Sequence, residues 1–137
     1  AMIRDQDYAA STAIQRKMYT SLNEVAELTD ELSQAVSRQD QVSVRMFLSM
    51  RLEEIQRLTS YQAMLNRQCA QLPPEDAKLL TQLNSGRFSG DAPTPAAQAL
   101  LQQAQRNRTV LERVRRADQA VSSRLGGSHS FYSKKGK

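Results

Sequence analysis

Catalysis needs a nucleophile, a base and something to orient them, and in this chain the side chains of that kind are few and scattered. Its 137 residues contain one histidine and one cysteine. His129 follows Gly126-Gly127 near the C-terminus, where no neighbour in sequence is placed to aim its proton. Cys69 falls on the apolar stripe of a helix-like segment, with no basic residue or helix start beside it to favour a thiolate. Alone it can form neither an intramolecular disulfide nor a thiolate metal cage. Glu53 and Glu54 are adjacent, and neighbours on a helix point to different faces, so they make no paired-acid site and suit Arg57 as a surface partner. There is no Glu-x-x-His spacing and no glycine-rich phosphate loop. These residues predict a chain that is not an enzyme and uses no cofactor or metal.

The densest functional chemistry is cationic. Residues 95–137 carry nine basic and two acidic groups, a balance of +7, against +5 for the whole chain. Arg106, Arg113 and Arg116 share one helical face, and Arg108 and Arg115 another. A DNA-reading helix would need a helix-turn-helix setting, and single-strand binding would need interleaved aromatic rings; this stretch has neither. A docking surface for an acidic partner or a solvated face fits better than nucleic acid.

The elements that must position these groups are helices. Only 5% of residues are aromatic, with 5 Gly and 4 Pro, too few turn formers for a β-sandwich. The apolar residues Ile14, Met18, Leu22, Val25, Leu28, Leu32 and Val36 follow spacings of three and four, one stripe of a helix predicted at 6–37. Asp40 is the expected N-cap of a second helix at 41–71, with a stripe of Val44, Leu48, Leu52, Ile55, Leu58, Leu65, Cys69 and Leu72. Phe47, Met50, Tyr61 and Met64 lie on a neighbouring face, so this helix is expected to pack against more than one partner. Pro73-Pro74 ends it and starts a short helix through Leu83. Residues 84–93 read as a flexible loop, with Phe88 as the residue that pins it to the body. Thr94-Pro95 opens the last long helix, whose stripe is Leu100 or Leu101, Ala104, Asn107, Leu111, Val114, Asp118, Val121 and Leu125. Two polar residues, Asn107 and Asp118, interrupt that stripe. Gly126-Gly127 stops it.

The expected architecture is all-α: an antiparallel bundle of three long helices, with a short helix in the second connection. Residues 2–125 form one domain, followed by a flexible basic tail at 126–137. The alternative is one long helix from 6 to 71 paired with another chain. The longest strong apolar run is Met46-Phe47-Leu48, far short of a membrane span. Met2 is the expected natural start, with Ala1 a remnant of expression. Residues 3–7 lack the apolar run of a secretory signal, so a soluble, cytoplasmic protein is expected.

This layout resembles the FlgN-type flagellar type III export chaperones over nearly the whole chain. The resemblance is carried by the leucine-spaced first helix (Leu22-Asn23-Glu24-Val25-Ala26-Glu27-Leu28 through Leu32) and the second helix after Asp40. It is carried also by Gln105 to Val114 in the last helix and by the Phe131-Tyr132-Ser133-Lys134-Lys135-Gly136-Lys137 tail. The chain departs from the family in having Arg51 or Arg57 where a lysine is usual, and Val110 or Leu111 where a second asparagine is common. The resemblance implies a cytoplasmic chaperone that binds the C-terminal helical segments of hook–filament junction subunits and delivers them to the export gate. The last helix is the expected subunit-binding surface, through Leu100, Leu101, Leu111, Val114, Val121 and Leu125; each could serve the core instead. Tyr132 is the implied gate-docking residue. The alternatives are a coiled-coil scaffold, possible as a homodimer, and, third, a nucleic-acid accessory protein.

Overall fold

A computed structural model describes residues 3–125, and these fold into four helices: α1 (Asp5–Ser37), α2 (Gln41–Ala70), α3 (Pro74–Asn84) and α4 (Pro95–Leu125). There is no strand among the described residues. The helix limits follow local chemistry. Asp40 accepts the Ser43 backbone N–H at 3.1 Å and the Ser43 hydroxyl at 2.7 Å, closing the α2 N-terminus. Thr94 Oγ1 accepts the Ala97 N–H at 3.1 Å and does the same for α4. Pro74 opens α3, with Glu75 and Asp76 in its first turn.

The Ser43 hydroxyl, then the Ser43 N–H, and more weakly Arg38 hold the Asp40 carboxyl below its ordinary value of 3.8. The capping contribution is therefore complete above that unfolded value and is lost as the pH falls through the lower folded one. Asp40→Asn keeps an acceptor for the Ser43 N–H but cannot titrate. Urea midpoints from pH 6 down to pH 2 are expected to fall less for the variant than for the parent chain.

α1 is the central rod. It packs along both α2 and α4, whereas α2 and α4 make no close backbone approach to each other. The pairings fix direction. Ser11 donates to Gln68 at 2.5 Å and Arg51 donates to Thr29 at 3.4 Å, so α2 runs against α1. Asn107 donates to Gln15 at 2.7 Å and Arg124 to Ser37 at 2.9 Å, so α4 runs with α1. Ser11, Thr12, Ser21, Ala26, Thr29 and Ala35 are buried beside the predicted leucine stripe. These short side chains let two neighbours approach α1 closely.

α2 meets more than one neighbour, as its two apolar faces predict: α1 along its length and α3 at its C-terminal end. It nevertheless buries only Arg51 and Leu65. Val42, Met46, Met50, Leu52 and Met64 are exposed. The helix flanked on both sides is α1, because its second face is small and polar rather than large and apolar.

At one end α3 closes the structure. Tyr8, Leu80, Leu83, Ala97, Leu100 and Leu101 form a buried cluster, and Phe88 packs against it from the 85–94 connection, as its isolation in that loop predicts. Burial, then the Asp76, Asp5 and Asp7 carboxylates, push the Tyr8 phenol above its ordinary value. Gly86 seats the connection on α4. Its φ is +74°, and a Cβ there would stand 3.2 Å from the Ala104 carbonyl carbon and oxygen and from the Gln105 nitrogen. Those are backbone atoms of a packed helix and cannot swing aside. Gly86→Ala is expected to cost about 1–3 kcal/mol, read as a lowered urea midpoint at unchanged slope.

Candidate partner-binding groove

Because α2 and α4 each lean on α1 and not on each other, a groove remains between them. Its floor is Gln15, Met18 and Leu22 of α1; Ile55, Leu58, Thr59 and Gln62 form the α2 wall; Ala104, Asn107 and Leu111 form the α4 wall. The space is about 560 Å³. Along α4 its lining runs from Ala104 to Arg115, roughly 16 Å at 1.5 Å per residue, or about three helical turns. Ile55, Leu58 and Leu111 are half-buried and pack on the cluster of Leu22, Val25, Ala26, Val110 and Val114. They offer apolar surface that the chain itself covers only in part.

One end of the groove is polar. Gln15 donates to the Asn84 carbonyl and to Asn84 Oδ1, both at 3.0 Å, and Asn107 donates to the Gln15 carbonyl and to Gln15 Oε1, both at 2.7 Å. Gln103 donates to Asn107 Oδ1 at 3.0 Å. The network ties α1, the end of α3 and α4 together, and Asn84 Nδ2 is its one shielded donor without an acceptor. One turn past the other end, Arg51 of α2 reaches Asp118 of α4 at 2.8 Å, with side chains 3% and 1% exposed. This buried ion pair joins the two helices that otherwise stand apart.

The rim is charged on one side only. Arg87, Arg108 and Arg115 lie on the 84–87 turn and α4, with Glu112 the one acid among the lining residues; the α2 wall carries no charge. Arg115 pairs with Glu112 at 3.3 Å. Arg108 reaches the Gly86 carbonyl at 3.5 Å.

The structure places the residues expected to bind a partner as follows. Leu100 and Leu101 are in the cluster under α3, Val114 is in the mid-length cluster, and Val121 is 3% exposed. All four are spent on the chain's own core and present no face outward. Leu111 stands on the groove wall. Leu125 lines a second depression, of about 700 Å³, with Val36, Val44 and Leu48. Tyr132 and His129 lie outside the described residues. Met18, Ile55 and Leu58 were legible as stripe members but not as groove residues. The available signal was the surplus of apolar residues on the second helix over what one neighbour can cover.

The remaining candidates for chemistry stay apart. Cys69 is half-buried, its Sγ 3.6 Å from Thr81 Oγ1. Glu54 meets Arg57 at 2.5 Å on the surface, the pairing its spacing predicts. Among the described residues no three His, Cys, Asp or Glu side chains gather as metal ligands, and no helix is long and apolar enough to cross a membrane. No family model, no curated protein and no solved structure matches the chain.

Proposed function

We propose that this chain acts by binding rather than by chemistry, as a cytoplasmic flagellar export chaperone of the FlgN type. In this reading it holds the C-terminal helical segments of hook–filament junction subunits and hands them to the type III export gate. The three long helices serve as one antiparallel bundle, and Tyr132 is the gate-docking residue. The observation that supports the reading is the groove between α2 and α4. It is about three turns long, apolar along its middle and open at the surface, the shape that takes one amphipathic helix by its apolar face. A secreted subunit whose terminal helix would otherwise associate too early is held unpolymerised by such contact. The subunit-binding surface is then Leu111 with Met18, Ile55 and Leu58, and Val110 and Val114 of α4 lie in the cluster on which Ile55, Leu58 and Leu111 pack.

Calorimetric titration of the full chain with the C-terminal segment of a junction subunit tests this. A one-to-one complex is expected, and Leu58→Glu is expected to weaken it by more than about tenfold by placing a charge on the apolar wall. Leu58 is only half-buried, so the variant should still fold, which circular dichroism checks. No binding of any junction-subunit segment would overturn the reading.

One observation favours a second reading, the helical scaffold. Val42, Met46 and Met50 are exposed at spacings of four along the start of α2, a stripe that could pair with another copy. Sedimentation of the full chain separates the two: a stable dimer that persists when residues 126–137 are removed supports the scaffold, and a monomer supports the chaperone.

A further inference from the structure

The groove is electrostatically one-sided, and that asymmetry specifies its occupant. On the α4 side, Arg87 and Arg108 stand at the rim beside the Arg115–Glu112 pair; on the α2 side, Thr59 and Gln62 are neutral. Arg87 is exposed, and its guanidinium takes part in no hydrogen bond or ion pair within the described residues. Arg108 is exposed too, and spends one donor on a long bond to Gly86. Two guanidiniums are thus left with donors to spare along one edge of an apolar trough. A partner helix that only matched the trough's apolar floor could enter in two directions, parallel or antiparallel to α4. Carboxylates on one flank of its apolar stripe would select one direction, because they would meet Arg87 and Arg108 in charge-assisted bonds, while the opposite flank would meet uncharged side chains.

We infer that the occupant of this groove is an amphipathic helix whose apolar stripe is bordered by aspartate or glutamate on the side facing α4 and by neutral polar residues on the side facing α2. The inference rests on the proposed role of the groove as a helix-binding site. It adds the charge pattern of the ligand.

The test uses the full chain, fluorescence anisotropy and three labelled probes. One is the C-terminal segment of a junction subunit. The others are synthetic helices of about four turns with the same leucine stripe, one bordered on one flank by Glu and the other by Gln. The Glu-bordered peptide is expected to bind roughly tenfold more tightly than the Gln-bordered one at low salt, with an advantage that shrinks as salt rises. The double variant Arg87→Gln/Arg108→Gln is expected to abolish that advantage. Both residues are exposed, so its thermal midpoint should be that of the parent chain. Equal affinity for the two synthetic peptides, or a Glu preference that survives the double variant, overturns the inference. Binding of the subunit segment together with equal affinities overturns the charge pattern and leaves the chaperone proposal standing. A Glu preference lost in the double variant, without subunit binding, upholds the charge pattern and overturns the flagellar reading. Self-association that no probe competes with, and that Leu58→Glu abolishes, identifies a second copy as the occupant and overturns the inference.

Discussion

Asp118→Ala is expected to cost about 3–5 kcal/mol, a large share of the ~5–15 kcal/mol that holds a domain together. Asp118 is 1% exposed and sits 2.8 Å from Arg51, itself 3% exposed at its side chain. Arg51 also donates to Thr29 at 3.4 Å, and its Nε has no partner. Removing the carboxylate strands a guanidinium that has only one further hydrogen bond, to a neutral hydroxyl, in a dry setting. The pair itself is a different matter from its rupture. Desolvation of two charges offsets most of their attraction, so Arg51→Met combined with Asp118→Leu is expected to recover the parent stability or exceed it. Urea unfolding of the two single variants and the double variant gives the coupling energy directly. If Asp118→Ala alone shifts the midpoint by less than the equivalent of about 1 kcal/mol, water reaches the site and the pair is not buried in solution.

The consequence reaches the groove. α2 has no backbone contact with α4, and Arg51–Asp118 is the one ion pair between them among the described residues. It lies one turn beyond Ile55, where a fixed bond between α2 and α4 would constrain the separation of the two walls. A hydrophobic replacement restores stability but not a fixed length and direction, so the double variant should keep its midpoint while its affinity for a groove-binding helix changes. That would separate the structural worth of the pair from its worth in shaping the site.

The helices were legible because their ends are written in local chemistry. Asp40 with Ser43, Pro73-Pro74 and Thr94-Pro95 act within one turn, and periodicity does the rest: the prediction of 6–37 for the first helix meets an observed Asp5–Ser37. What was not legible is which neighbour each face meets. Burial on two sides of α1 is carried by Ser11, Thr12, Ser21 and Thr29, which a hydrophobicity pattern reads as surface. Exposure on α2 is carried by Met50, Leu52 and Met64, which the same pattern reads as packed. Both errors have one cause. Size decides how close two helices approach, whereas apolarity decides only that a residue gains from being covered. The choice of Leu100, Leu101, Val114 and Val121 as partner contacts fails to separate covering by the chain from covering by another molecule. The two interruptions of the last stripe were the better signal. Asn107 and Asp118 stand at core positions, and each turns out to have a polar counterpart on another helix, Gln15 and Arg51. A polar residue in an apolar stripe needs a partner, and the search for that partner would have brought the two ends of the groove into view.

Asn107 is the site of the second large effect. Its amide donates to Gln15 Oε1 and to the Gln15 carbonyl at 2.7 Å, and accepts from Gln103 at 3.0 Å. Asn107→Ala leaves Gln15 Oε1 and Gln103 Nε2 unpaired, and at ~1–3 kcal/mol for each buried group the expected loss is at least about 2 kcal/mol. Asn107→Asp discriminates between loss of packing and loss of hydrogen bonding, since its shape is unchanged. An ionised carboxylate cannot donate to Gln15 Oε1 and is buried at the same time, so the folded state favours its protonated form and raises its pKa. A raised folded value means that stability is present at low pH and is lost as the pH rises through it. Relative to the parent chain, Asn107→Asp should therefore be most destabilised at neutral pH and recover toward pH 4, whereas the deficit of Asn107→Ala should stay constant. The Gln15 amide cannot rescue the aspartate by turning its nitrogen inward, because that nitrogen already serves the Asn84 carbonyl and Oδ1, and turning it would release the end of α3. A pH-independent deficit for the aspartate variant would mean that the network relaxes as a unit. In that case the polar end of the groove adapts to its ligand instead of being fixed before the ligand arrives.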